Sequence, residues 1–140
     1  MPLTTADFTP EDTLIAVMIA ISASDETIRT SELMSIERMV NHLPAFMDYQ
    51  IERLTEVSNA VFDILAEEEG LDILWDLVRR NIPERMIDTA YAMACDVAAA
   101  DGQARETELR LLADMRYELN IDRLLAAAIE AGARARHRLF

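Results

Sequence analysis

The sequence holds one cysteine, Cys95, in 140 residues. An intramolecular disulfide is therefore excluded, as is a zinc site built on cysteines. Cys95 lies in the apolar run Tyr91 to Ala100, where a buried thiol acting as a small hydrophobe is the expected role. Histidine is nearly as scarce. His42 and His137 stand in no H-x-x-x-H or Cys/His spacing, so a zinc enzyme is not expected. No serine occupies a G-x-S-x-G elbow, no glycine-rich loop offers to cradle a phosphate, and the Glu-x-x-His pattern of di-iron bundles is missing. No nucleophile–base pair or metal triad assembles from spacing, and the chain reads as a non-enzyme.

Positive charge is also short. Thirteen basic residues face 26 acidic ones, for a net charge of −13 and a pI near 4.4. Such a surface repels phosphate backbones, so no nucleic-acid partner is expected. It suits solubility, a cationic partner or bound metal ions. Long apolar runs are missing as well: the most apolar stretch, Leu14 to Ile21, is too short to cross a bilayer unaided. The first ten residues carry an acid and no basic segment, so no signal peptide is read and a cytoplasmic location without direct membrane insertion is expected.

Glycine (3) and proline (4) are few, apolar residues make up 51%, and Ala, Leu, Met and Glu abound, which together indicate a largely helical chain with an ordered core. Thr9-Pro10-Glu11-Asp12 carries a capping box with Pro at the first helical position, opening a helix to about Ala23 that is apolar nearly all round and therefore central. Thr30 or Ser31 caps a second helix with Leu33, Ile36, Met39, Val40 and Leu43 on one face. From Met47 onward, Ile51, Leu54, Val57, Val61, Ile64 and Leu65 keep helical spacing. A shorter helix holds Leu71, Leu74, Trp75 and Val78 and ends near Asn81. Asn81-Ile82-Pro83-Glu84 starts a helix reaching about Ala100, another runs from about Glu106 to Leu119, and Asn120-Ile121-Asp122 begins the last. No strand alternation appears. The expectation is one all-α domain of about seven helices over residues 1–140, with its core at about 12–132. Trp75 and the eight methionines are expected to fill the core.

Sliding the chain by 76 positions lays Asp25 on Asp101, Arg29 on Arg105, Glu32 on Glu108, Leu33 on Leu109, Ile36 on Leu112 and Met39 on Met115. This is read as a duplicated helix–loop–helix unit, at about 14–43 and 90–119, forming a pseudo-two-fold globule. In each copy an Asp ends one helix and a Glu sits in the first turn of the next. The positive end of the helix dipole and local turn hydrogen bonds explain both acids without a ligand. Alternatively the two carboxylates converge with loop carbonyls on a hard cation such as calcium or magnesium. Asp96 interrupts an apolar run five residues before Asp101, a costly place unless it faces solvent or a cation. Its equivalent in the first copy is Ala20. Arg29 and Arg105 supply a third reading, in which an internal salt bridge is the site's only content. The loop is no EF-hand. Counted from Asp101, Gly falls at position 2, Gln103 at 3, Arg105 at 5 and Leu112 at 12.

"AAADGQARETELRLLADM", its echo "ISASDETIRTSELMSIERM" and the ending "ELNIDRLLAAAIEAG" resemble the tellurite-resistance TerB family, from about Asp12 to Gly132. The resemblance implies an all-α domain built on two helix–loop–helix units, with acidic residues that bind metal ions. It also implies a non-enzymatic role in tellurite resistance and related stress responses, in concert with protein partners that include membrane-bound Ter-type proteins. A position peripheral to the inner membrane would follow through such a partner. The metal-site candidates are Asp101, Glu108 and Asp96 in the second copy, and Asp25 and Glu32 in the first. Asp25-Glu26 replaces Asp-Gly there and makes the first loop the poorer one. Beside this stands a helical interaction scaffold whose acidic turns are structural and hold no metal. The basic tail "ARARHRLF" is read as charge complementing a helix C-terminus.

Overall fold

The computed structural model describes residues 3–23, 30–100, 102 and 104–140. Among these residues the chain is all-helical: α1 (Pro10–Ser22), α2 (Thr30–His42), α3 (Arg53–Leu65), α4 (Gly70–Asn81), α5 (Ile87–Ala98), α6 (Glu106–Glu118) and α7 (Arg123–Arg136). Short 3-10 turns occupy Thr5–Asp7, Pro44–Phe46 and Glu84–Met86. No described residue lies in a strand, and no described helix is long and apolar enough to cross a membrane.

The capping box that opens α1 forms as read. Thr9 Oγ1 accepts from the Asp12 N–H at 3.1 Å, and an Asp12 carboxylate oxygen accepts from the Thr9 N–H at 3.0 Å. Every residue from Asp12 to Ser22 is buried, so α1 has no solvent face and sits at the centre, with α3, α4 and α5 against it. α5 plays the matching part for the second half, packed by α1, α6 and α7. The packing is reciprocal: α2 lies on α5 as well as α1, and α6 lies on α1 as well as α5.

The helix boundaries carry the duplication. Ser22 and Ala98, Thr30 and Glu106, and His42 and Glu118 are helix ends in equivalent places, each pair 76 residues apart. The inward positions agree too. Ile36 and Met39 of α2 are buried, as are Leu112 and Met115 of α6.

Four details differ from the sequence reading. Leu33 does not share the inner face of α2; it is 44% exposed, and Glu32, one residue earlier, takes the first inward position. Leu71 is likewise outside, at 40%, while Leu74, Trp75 and Val78 are buried as expected. α3 starts at Arg53 rather than near Met47, because the chain from Met47 to Glu52 runs through turns that bring Tyr49 and Arg53 to Asp12. Asn81 does not cap α5. Its side-chain amide donates to Thr13 Oγ1 at 2.9 Å and to the Phe8 carbonyl, so the chain makes a 3-10 turn after Pro83 before α5 begins at Ile87.

Candidate functional site

The sequence candidates fall into three groups. Asp25 and Asp101 lie outside the described residues. Glu32 and Glu108 are described, and both are 1% exposed. Each stands on the third residue of its helix and is buried, as are Ser35, Ile36 and Met39 in α2 and Leu111, Leu112 and Met115 in α6. At the start of α6, Glu108 Oε1 accepts the Arg105 backbone N–H at 2.9 Å. That bond satisfies one of the donors an α-helix leaves open at its N-terminus and places negative charge at the positive end of the helix dipole. The Arg105 residue itself is exposed.

Asp96, the third group, is tied to the basic tail. Arg136 Nη2 donates to Asp96 Oδ1 at 2.6 Å, and His137 Nε2 lies 3.3 Å from the same oxygen. The acid that interrupts the apolar run of α5 is thus met by cations from the end of α7. The tail is more than a dipole partner, because it fastens α7 to α5.

Two polar clusters went unread in the sequence. In the first, Asp12, with 0% of its side chain exposed, receives Arg53 Nε on both carboxylate oxygens at 2.9 and 3.0 Å, Arg53 Nη2 at 2.8 Å and the Tyr49 hydroxyl at 2.7 Å. Burial alone would raise the Asp12 carboxyl, but the bonds from Arg53, the Thr9 N–H and Tyr49 outweigh it and hold the group below its ordinary value. Tyr49 moves the other way, raised by burial and by the adjacent carboxylate, so it stays a proton donor. In the second cluster, Arg116 Nη1 donates to Tyr91 Oη at 2.7 Å and to Glu130 Oε2 at 2.9 Å, while the Tyr91 hydroxyl donates to Glu130. Cys95 lies beside it, 4% exposed, with burial pushing its thiol up to about 12. The buried, protonated thiol is the one the sequence implied. Asp12 was legible only as a cap, since its partners lie 37 and 41 residues away.

Among the described residues, no group of three or more His, Cys, Asp and Glu side chains stands close enough to hold a metal ion. Comparison with protein-family models, curated proteins and solved structures found no match.

Proposed function

We propose that the chain is a non-catalytic helical module of the TerB type that takes a calcium or magnesium ion on its acidic hairpins and works through protein partners. One observation carries the reading: Glu32 and Glu108 occupy equivalent inward positions, each 1% exposed, in two halves of a duplicated domain. Taking a carboxylate out of water costs several kcal/mol unless charge and hydrogen bonds compensate. A helix N-terminus supplies about 0.3–1 kcal/mol of that, beside the other interactions both residues make. Retaining the acid in both halves favours a use for it. Glu108 and Asp101 would hold the ion in the second hairpin, and Glu32 and Asp25 in the first, through hard oxygen ligands of the kind both ions take. Asp96, already engaged by Arg136 and His137, would stand outside that set. The role is a stress response of the tellurite-resistance kind on the cytoplasmic side, beside a partner that can itself be membrane-bound.

A second reading is favoured by the Arg105 N–H to Glu108 bond, which makes the acid a helix cap in an interaction scaffold. Thermal melts in EDTA, calcium and magnesium separate the two. An ion at a hundred times its dissociation constant stabilises by about 2.7 kcal/mol, and Glu108→Gln and Asp101→Asn should abolish that gain. A melting point indifferent to both ions, with variants losing only cap-sized stability of about 1 kcal/mol, would establish the scaffold instead.

A further inference from the structure

α6 and α7 both pack on α5 more closely than on each other. Between them opens a cleft of about 630 Å³, within the roughly 300–1,000 Å³ range of small-molecule sites. Its lining is mainly apolar: Ala98, Ala99, Ala104 and Ala133 contribute small side chains, with Ala98 and Ala133 deeply buried, and Leu109 and Leu112 line it from α6. Ion pairs brace it at both ends. Arg116 to Glu130 joins α6 to α7, and Arg136 to Asp96 joins α7 to α5. The chain end folds back to make a lip, with the Leu139 side chain and the His137 carbonyl 3.7 and 3.8 Å from where a side chain on Gly102 would stand.

The charge at this cleft opposes that of the rest of the chain. Three arginines and one glutamate line it, on a protein of net charge −13. Asp101, outside the described residues, is not in that count. Arg116 is occupied by Glu130 and Tyr91. The side chains of Arg134 and Arg138 are exposed and have no ion-pair partner among the described residues. The sequence contains no lysine, so every cation here is a guanidinium fork suited to a carboxylate or phosphate. Basic residues complement the C-terminal end of α7, but the helix dipole gives no reason for an apolar cleft beneath them.

We infer that this cleft binds a small amphipathic oxyanion, its apolar body laid on these alanines and its anionic head held by Arg134 and Arg138. The cleft borders the second hairpin, since Gly102 and Leu109 line it, so binding is tested in EDTA, where failure of either proposal leaves the other standing. The experiment is calorimetric titration of the full chain with decanoate and, in parallel, decyl phosphate, both below their micelle concentrations. Decanol and acetate serve as body-only and head-only probes. Saturable 1:1 binding of either amphiphile is expected, with decanol weaker by about tenfold or more, since a charge-assisted hydrogen bond is lost. Acetate should give no measurable binding. The double variant Arg134→Gln/Arg138→Gln, whose sites are exposed, should lower amphiphile affinity by a similar factor and leave decanol binding unchanged. Leu109→Ser should weaken amphiphile and decanol alike, whereas Leu33→Ser, its equivalent in the other half, should weaken neither. Binding of neither amphiphile, decanol binding as tightly as decanoate, or an unaffected double variant would each overturn the assignment.

Discussion

Replacing Asp12 is the sharpest test of what holds the centre together. The carboxylate has 0% of its side chain exposed and accepts from Arg53, Tyr49 and the Thr9 N–H. In Asp12→Ala the cap bond is lost, worth about 1 kcal/mol. The Tyr49 hydroxyl and the Arg53 guanidinium also lose their shared acceptor. Breaking a fully buried pair costs about 3–5 kcal/mol, but Arg53 keeps 31% of its side chain in solvent and still reaches the Asp7 carbonyl, so the low end applies. The sum is about 3–4 kcal/mol, read as a fall in the urea midpoint at constant m-value. A double-mutant cycle with Arg53→Met should return about 1.5–3 kcal/mol of coupling, the range for hydrogen bonds to charged groups. The pH dependence has a definite sign. The folded-state value of Asp12 lies below the ordinary 3.8, so its contribution is present above that value and is lost as pH falls through the lower, folded one. The gap between wild type and Asp12→Asn should therefore narrow in acid. A loss under about 1 kcal/mol, or a gap that widens below pH 3.8, would refute the reasoning.

Two further perturbations probe the packing. Gly70→Ala places a methyl group against the Ile64 carbonyl oxygen and 3.0 Å from Leu65 Cα, both rigid backbone atoms, where the end of α3 meets the start of α4. Overpacking of this kind should cost about 1–3 kcal/mol in denaturant, despite the better helix propensity of alanine. Cys95 is 4% exposed with its thiol raised to about 12, so at pH 8 it should react with a disulfide reagent on the order of a hundredfold more slowly in the folded chain than in urea. Equal rates would mean that the α5 face is open.

Helix ends and core faces could be read from the sequence because the signals are local. Thr9-Pro10-Glu11-Asp12 and Asp122 cap where their spacing says they should, the latter accepting the Leu125 N–H at 3.0 Å. The 76-residue echo shows in the structure as matching helix ends and inward apolar positions of α2 and α6, though the capping box of α1 has no counterpart at α5. Periodicity does not fix a helix's rotation to within one residue, however. That is why Leu33 was placed inside and Glu32 emerged there. The polar clusters were hidden by distance along the chain. Arg53 lies 41 residues from Asp12, Glu130 lies 39 from Tyr91, and Arg136 lies 40 from Asp96, so no local pattern pairs them. The cleft was hidden for a different reason. It opens between α6 and α7 over α5, and the alanines that line it, from α5, the loop that follows it and α7, come together only after folding.

The two halves share a frame, and what distinguishes them is a handful of acids that differ across the repeat. Asp12 at the start of α1 draws in Tyr49 and Arg53, which bring α3 over the centre; its equivalent, Asp88, is exposed and bonds only its neighbour's N–H. At the other end of each helix the asymmetry reverses. Ala20 near the end of α1 has no charge to offer, and the groove beside it is bordered by Leu65, Leu71 and Leu111. Asp96 near the end of α5 holds Arg136 and His137, which adds a fastening at the C-terminal turn of α7 to the one that Glu130 makes with Arg116 and Tyr91 at mid-helix. The cleft between α6 and α7 lies between these two fastenings, with Arg134 and Arg138 of the tail in its lining. The second half therefore owes the anchoring of its tail to one acid that the first half lacks.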